Sequence, residues 1–244
     1  MHLRKKYIGS KAFYASVIAL VIPMVIQSGI TSFVNLLDNV MVGRLGTQPM
    51  SGVAIVNQII FIFNLTIFGG MSGASIFGAQ YYGKGDLEGL RDTLRFRLLF
   101  AFAISGVGIA ALLGFGRSFF QLYLNGEASS PQEIAATLGY AQEYMLIMLW
   151  GLLPFAVSNC FASVLKDTGE TFIPMTASVI SIGVNLVLNY LLIFGSLGFP
   201  KMGVAGAALA TVIARYIEAA YLIAQSYRHK ARFPFLSGAF KSLR

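Results

Sequence analysis

Asp38 is the single acidic residue in an apolar stretch that runs from residue 13 to residue 42. A carboxylate in such a stretch has a high desolvation cost, and in membrane-spanning helices it commonly faces a protein interior or a watery cavity on an ion pathway. If the helix begins near Tyr14, Asp38 lies about 36 Å along it, towards the outer end. Two interpretations stay open: a group that binds a cation or proton, and a carboxylate at the membrane interface.

Amide and hydroxyl side chains recur in the apolar stretches that follow. Asn185 and Asn189 are four residues apart in sequence and therefore share a helix face. Asn57 and Asn64, which are seven apart, share a face as well. Interhelical hydrogen bonding explains any single amide, but a set spread over several helices predicts a polar cavity within a bundle. The candidates for the cavity wall are Asn57, Gln58, Asn64 and Asn159, with Thr211 in the last apolar stretch.

The elements that position these residues follow from composition. Of 244 residues, 56% are hydrophobic and only 11% are charged, whereas soluble domains carry roughly 25% charged residues. Six apolar runs are long enough to cross a bilayer as helices, and they lack the alternation typical of barrel strands. The prediction is an all-α polytopic membrane protein, with spans at residues 14–40, 51–81, 93–114, 138–165, 172–194 and 204–226.

Two prolines interrupt the predicted spans, Pro23 in the first and Pro154 in the fourth. Membrane helices tolerate proline as a kink, so both are candidate hinges. Small residues are concentrated in the second and sixth spans, and Gly69 with Gly73 forms a G-x-x-x-G pattern that predicts close helix packing. The proposed organisation is a six-helix lobe over residues 1–226 and a basic cytoplasmic tail over residues 227–244.

The net charge of +8 comes from cations placed between the apolar runs, which indicates membrane-flanking loops and no nucleic-acid partner. Fourteen lysines and arginines fall on the side of the termini, and three (Arg44, Arg117 and Lys201) fall on the other. This bias predicts a multi-pass protein of the plasma membrane with both termini in the cytoplasm. Arg215 lies within the last span, where pairing with Glu218 three residues later is predicted.

Two basic segments invite a second interpretation, as surfaces that bind anionic lipid headgroups. In the first, Leu87, Leu90, Leu94 and Leu98 recur at helical spacing beside arginines; the second is the tail itself. Ordinary loops that set topology account for the same cations and are favoured over a lipid-binding role.

No pattern in the sequence supports an enzyme, a metal site or a cofactor. A Gly-x-Ser-x-Gly motif is absent, and His2 and His229 have no Cys, Asp or Glu at ligand spacing. Residues 83–86 (GKGD) lack the phosphate-loop spacing and are predicted to form a turn. The single cysteine, Cys160, is predicted to be a packing residue in an apolar run.

Five segments resemble, in order, the multidrug and toxic compound extrusion (MATE) transporter family. The first, DNVMVGRLG at residues 38–46, is similar to the D-x-x-x-V-G-x-L-G that closes the family's first helix. The other segments are GASIFGAQYYG at 73–83, DTGET at 167–171, NLVLNYLLIFG at 185–195 and GVAGAALAT at 203–211. Together they cover nearly the whole chain, which identifies it as similar to the family's N-terminal lobe.

The resemblance implies an antiporter that exports organic, often cationic, drugs or toxins in exchange for H⁺ or Na⁺. It implies that Asp38 is the coupling carboxylate and that Asn185 belongs to the same cation site, which Na⁺ could occupy. Asn189 stands where some members have Asp, so the coupling ion stays open. Thr211 corresponds to a sixth-helix ligand of that site.

Family members have about twelve helices in two lobes, and this chain resembles one of them. A homodimer with C2 symmetry, a separate C-terminal lobe and a truncated product are therefore all open as explanations. Two other functions also stay open: a flippase for a lipid-linked anionic precursor, and a non-transporting fragment that needs a partner lobe. The expected contacts are the lipid bilayer and a small organic substrate.

Overall fold

A computed structural model describes residues 10–124, 130–229 and 233–234 of the chain. These residues form seven α-helices and no strand, which confirms the all-α class. The helices are α1 (Lys11–Gly43), α2 (Thr47–Lys84), α3 (Leu87–Leu124), α4 (Pro131–Met148), α5 (Leu152–Asp167), α6 (Phe172–Phe194) and α7 (Val204–Arg228). A 3₁₀ turn, Leu149–Gly151, joins α4 to α5, and a second one, Ser196–Gly198, follows α6.

Six helical segments have the length and composition to cross a membrane, and α4 with α5 counts as one of them, Pro131–Asp167. The six predicted spans lie inside these segments. The fifth agrees at both ends, whereas α3 extends well beyond the predicted residues 93–114 at each end. This difference arises because i to i−4 backbone hydrogen bonding continues after the apolar run has stopped.

Local chemistry sets several helix ends. The Ser10 hydroxyl accepts a hydrogen bond from the Phe13 amide at the start of α1, and Ser130 and Glu133 form a capping box at the start of α4. Both α2 and α6 end at glycines with positive φ, Gly85 at 75° and Gly195 at 72°. This left-handed conformation is one that glycine adopts without a Cβ penalty.

The bundle is assembled around α6 and α7, which pack together most extensively, while α1 packs mainly on α6. The first third of α1, up to residue 22, is exposed throughout. Among the other helices, α2 packs on α3, α4 and α5, and α7 packs on α4 and α5. The helices that carry the predicted polar residues therefore surround a common interior.

The small residues of α7 pack closely, as predicted. A Cβ at Gly206 would lie 2.7 Å from the main-chain carbonyl of Leu192 on α6. The prediction is wrong for Gly69 and Gly73, because a Cβ at either position would meet nothing within 4 Å. The close approaches of α2 are made by three other glycines: Gly52 against the α4 main chain, Gly70 against the Phe100 ring, and Gly78 against the Arg97 and Asp167 side chains.

Gly206→Ala is expected to destabilise the fold by about 1–3 kcal/mol, because an added methyl overpacks the α6–α7 contact. Unfolding can be followed with a thiol-reactive fluorophore, since Cys160 is the chain's single cysteine and is buried. The matched control is Gly183→Ala on α6, where a Cβ meets nothing within 4 Å. That variant is expected to be neutral or to gain up to about 1 kcal/mol of helix propensity. Equal destabilisation of both variants would contradict the packing argument.

Three of the four leucines in the first basic segment, for which lipid binding is the less favoured interpretation, belong to the core. Leu90 and Leu94 are 0% exposed and Leu98 is 7% exposed, all within α3. This interpretation of the segment is therefore wrong: the helical periodicity is real, but the face it defines packs on protein. The proposed tail lies mostly outside the described residues, and α7 extends through Arg228.

Arg97, counted above among the loop cations, is completely buried. Its guanidinium donates to the Asp167 carboxylate at 2.5 Å and to the Ser163 hydroxyl at 3.0 Å. Gly78 lies against this ion pair, and the Cys160 thiol donates to the Arg97 carbonyl at 3.3 Å. The prediction for Cys160 as a packing residue is confirmed, and Arg97 is a residue that joins α3 to α5.

Candidate cation-binding cavity

A cavity of about 390 Å³ opens between α1, α2, α4, α6 and α7. Its wall combines apolar side chains with amides, one carboxylate and one guanidinium. The polar lining residues are Asn35, Asp38, Asn39, Asn57, Asn64, Tyr144, Asn189, Thr211 and Arg215. A polar space of this size inside a bundle of apolar helices can hold a small hydrated ion and part of an organic molecule.

Asp38 lies on α1 at the wall of this cavity and is partly buried. Its Oδ1 accepts a hydrogen bond of 2.7 Å from Nδ2 of Asn189 on α6. The carboxylate is therefore held by protein at the boundary between two helices, and it does not lie free at the interface. This geometry favours the first of the two interpretations of Asp38.

A chain of hydrogen bonds continues behind the carboxylate. Asn189 Nδ2 also donates to Asn185 Oδ1 at 3.2 Å, and Asn185 Nδ2 donates to the Thr211 hydroxyl at 3.2 Å. Thr211 in turn donates to the Ala207 carbonyl at 3.0 Å. Because the Thr211 proton is used in this way, the hydroxyl accepts from Asn185, and the direction of every bond up to Asp38 is fixed.

Two side-chain oxygens at the cavity are buried without a hydrogen-bond partner among the described residues, Oδ1 of Asn64 and Oδ1 of Asn189. Buried polar atoms are normally satisfied, so each indicates a place for a water molecule or an ion. Together with the Asp38 carboxylate they supply hard oxygen donors, the ligand type that alkali and alkaline-earth cations prefer. The arrangement suits a monovalent cation or a proton on Asp38.

Four polar residues of the cavity are missing from the predicted set: Asn35, Asn39, Tyr144 and Arg215. The buried Tyr144 hydroxyl donates to Asn57 Oδ1 at 3.3 Å. The Arg215 guanidinium donates to the Gly151 carbonyl at 3.2 Å and lies 4.9 Å from the centre of the Phe155 ring. Arg215 follows Thr211 by four residues, and this spacing alone places it on the same helix face.

The predicted ion pair between Arg215 and Glu218 is wrong. Glu218 accepts a hydrogen bond from the Ser178 hydroxyl at 2.7 Å, and the salt bridges among the described residues do not include it. Gly151 lies in the 3₁₀ turn between α4 and α5, and its carbonyl accepts the hydrogen bond from the Arg215 guanidinium. Arg215 therefore binds main chain in place of the nearby carboxylate.

The structure brings together most of the predicted cavity residues but not all of them. Asn57 and Asn64 share the cavity with Asp38, as their spacing indicates. Gln58 is not among the residues that line the cavity, because one residue of helix turns its side chain about 100° away from Asn57. Asn159 lies in a second cavity of about 550 Å³ near Lys166 and Asp167, and it donates to the Phe155 carbonyl at 2.8 Å.

The two candidate hinges have different surroundings. Pro23 lies inside α1, which continues through it as one helix. Pro154 is the third residue of α5, directly after the 3₁₀ turn. In the first turn of a helix, proline removes no hydrogen bond. Bending at either position stays a prediction.

Six membrane-length helical segments, five of which surround a polar cavity with a carboxylate held between two helices, form one lobe of a polytopic membrane protein. A family model described as MatE matches residues 23–191. The chain therefore belongs to the MatE family, and the resemblance seen in its sequence motifs is confirmed.

Relatives and solved structures agree with this assignment. The chain is 29% identical over 205 residues to "Probable multidrug resistance protein NorM" of Thermotoga maritima, covering 84% of this chain and 42% of the relative. It is 29% identical over 215 residues to "Probable multidrug resistance protein YoeA" of Bacillus subtilis, covering 87% and 44%. The chain thus spans less than half the length of these curated relatives.

The fold is similar to that of known MATE structures. A MATE in complex with MaL6 superposes with a TM-score of 0.76 at 24% identity, covering 94% of this chain and 48% of that one. A MOP-superfamily transporter from Pyrococcus furiosus superposes with a TM-score of 0.70 at 23% identity, covering 89% and 45%. These neighbours show the fold of a single lobe.

Proposed function

We propose that this chain is the ion-coupling lobe of a secondary antiporter that exports organic cations in exchange for H⁺ or Na⁺. The observation that carries the proposal is the hydrogen bond between Asp38 and Asn189 inside the polar cavity. It places an ionisable group where its charge state affects the contact between α1 and α6. The relatives named as multidrug resistance proteins support the substrate class.

The coupling step follows from the strength of that contact. Hydrogen bonds to an ionised carboxylate are roughly twice as strong as those between neutral groups. When Asp38 takes up a proton or coordinates a cation, its hold on Asn189 weakens and α1 gains freedom to move relative to α6. An ion drives such a change only through its different affinity for the two arrangements, and the Asp38 carboxylate supplies that difference.

Exchange follows if substrate and ion use the same negative charge. An organic cation in the cavity is attracted by the ionised Asp38, and ion binding removes that attraction. The neighbouring Arg215 guanidinium increases the loss of affinity for an organic cation. Once Asp38 is neutralised, the remaining formal charge on the cavity wall is positive. A cationic substrate then leaves as the coupling ion binds.

The proposal includes a second lobe. Because a six-helix lobe returns to its starting side, two lobes have parallel topology and are related by an axis along the membrane normal. Either a second copy of this chain or a separate C-terminal lobe supplies the other wall of the substrate path. The excess of cations on the side of the termini supports a plasma-membrane orientation with both termini in the cytoplasm.

Reconstituted vesicles test the antiporter proposal. The chain alone, and a tandem fusion of two copies, are placed in liposomes with an imposed H⁺ or Na⁺ gradient and no other energy source. Ethidium is expected to move opposite to one of these ions, and an ionophore that dissipates that gradient is expected to stop it. If neither preparation moves ethidium under either gradient, the antiporter proposal is rejected.

Arg215 favours one alternative, a flippase for a lipid-linked anionic precursor, because a cation faces the cavity. The same vesicles discriminate between the two functions. Gradient-independent movement of a fluorescent anionic lipid between leaflets, without ethidium exchange, supports the flippase.

A further inference from the structure

A second carboxylate lies within the bundle, and the proposed coupling step does not use it. Glu218 is partly buried on α7, in the sixth of the membrane-length helices. Its Oε1 accepts a hydrogen bond of 2.7 Å from the Ser178 hydroxyl on α6. The Ser178 oxygen accepts a hydrogen bond of 2.6 Å from Nε2 of Gln27 on α1. One carboxylate is thus linked through α6 to α1.

Like the hydrogen bond between Asp38 and Asn189, the hydrogen bond between Gln27 and Ser178 holds α1 against α6. Asp38 of α1 is bonded directly to Asn189 of α6, whereas Glu218 of α7 is bonded to Ser178 of α6, which accepts in turn from Gln27 of α1. Gln27 and Asp38 are about 16 Å apart along α1 at 1.5 Å per residue. The Gln27 contact lies one turn after Pro23, where the exposed first third of α1 ends. It therefore holds α1 at the point where the helix joins the bundle.

The charge of Glu218 is not neutralised by a salt bridge within the described residues. Two cations act on it electrostatically, Arg215 from α7 and Lys166 from α5. Neither forms a salt bridge with it in the described part of the chain. Ser178, which donates to it from α6, is neutral, and so is Gln27 of α1, which donates to Ser178. The strongest direct contact of Glu218 is a hydrogen bond whose strength depends on its own protonation.

We propose that Glu218 is a second proton-binding group, and that its charge sets how firmly α1 is held through Ser178 and Gln27. This inference rests on the proposed antiport and deepens it. In the ionised form, the Ser178 hydroxyl donates to a carboxylate, which is a charge-assisted bond. A proton taken from water onto Oε2 turns Oε1 into a neutral carbonyl oxygen and weakens that bond. Release of the proton to water restores it.

Infrared difference spectroscopy on the purified full chain in lipid nanodiscs tests the proton binding directly. Changing the pH is expected to produce carbonyl-stretch bands of protonated carboxylic acids. Glu218→Gln is expected to lose one of these bands and to keep the band that Asp38→Asn loses. The control is Glu88→Gln, the same substitution at an exposed position in the first turn of α3, which is expected to lose neither.

If Glu218→Gln loses no band, Glu218 does not titrate and the proposal is overturned. If the variant does not fold, Glu218→Asp decides the matter, since a shorter side chain keeps a titrating acid and shifts its band. The link to α1 is tested with Ser178→Ala, which leaves the carboxylate in place. That variant is expected to keep a Glu218 band at a shifted position and to flatten the pH dependence of ethidium efflux. An unmoved band and an unchanged pH profile would show that Ser178 does not transmit the charge.

The spectroscopic result does not depend on transport, so it separates the two proposals. Absence of efflux together with a titrating Glu218 rejects the antiporter and keeps the proton site. Efflux that works without any Glu218 band rejects the proton site and keeps the antiporter.

Discussion

Asp38→Asn is expected to abolish ion-driven efflux of ethidium, with a loss of at least about tenfold. The asparagine has nearly the same shape, and its Oδ1 still accepts from Asn189, so the cavity keeps its geometry. What disappears is the charge that attracts a cationic substrate and the ability to exchange a proton or bind a cation. Since the ion then has no differential affinity for two arrangements of α1, no exchange is driven. The measurement is ethidium accumulation in cells that express the variant.

The matched control for this variant is Asp86→Asn, at an exposed position whose carboxylate caps α3 through the Gly89 amide. Asparagine caps helices about as well as aspartate, so wild-type efflux is expected. Both variants are compared at equal membrane abundance. Unchanged ethidium efflux in Asp38→Asn would remove Asp38 from the mechanism.

Arg97→Leu is expected to be the most destabilising of the substitutions considered, by about 3–5 kcal/mol. Removing the guanidinium leaves the Asp167 carboxylate buried beside Gly78 with no cation to pair with it. Burying a charge without a partner costs far more than the pair itself contributes. The midpoint of thermal unfolding, followed through exposure of the Cys160 thiol, is the measurement.

The double variant Arg97→Leu with Asp167→Leu separates the ion pair from its burial. Replacing both partners by apolar residues is often neutral or stabilising, so most of the lost stability is expected to return. Arg95→Leu is the control on the same helix, because it breaks a surface pair with Asp92 that contributes about 0–1 kcal/mol. A double variant as unstable as Arg97→Leu would show that the arginine acts through packing and not through charge.

The contrast between Asn189 and Arg97 shows which features could be predicted from the sequence. Membrane-length apolar runs are a local property, and so is the shared face of residues four apart. The spans and the Asn185–Asn189 pair were therefore predictable. The partner of Arg97 is Asp167, which is far away in the chain, and no local pattern connects them. For the same reason, the spacing of the leucines predicts the helical period of α3 but not whether they pack on protein or on lipid.

The predictions for Arg215 and Gln58 were wrong for other physical reasons. Pairing of Arg215 with Glu218 follows from helix geometry, but the guanidinium donates to the main-chain carbonyl of Gly151 instead. The position of that carbonyl depends on a 3₁₀ turn that no sequence pattern predicts. Gln58 is polar and lies beside a cavity residue, but the helix turns it away from the interior. Polarity predicts an interior role only when the face is known.

The 3₁₀ turn before α5 has a consequence for how the lobe tolerates sequence change. It fixes the guanidinium of Arg215 by a peptide oxygen, an acceptor that no side-chain replacement can delete. A methyl added at Gly151 would come within 3.2 Å of the Arg215 side chain. Substitution at this position is therefore limited by steric hindrance. The positive side chain of the cavity, Arg215, is therefore held by a main-chain atom. The negative side chain, Asp38, is held by the side-chain amide of Asn189, which a substitution can remove. Substitutions that change the ion preference are accordingly expected at Asn189 on α6.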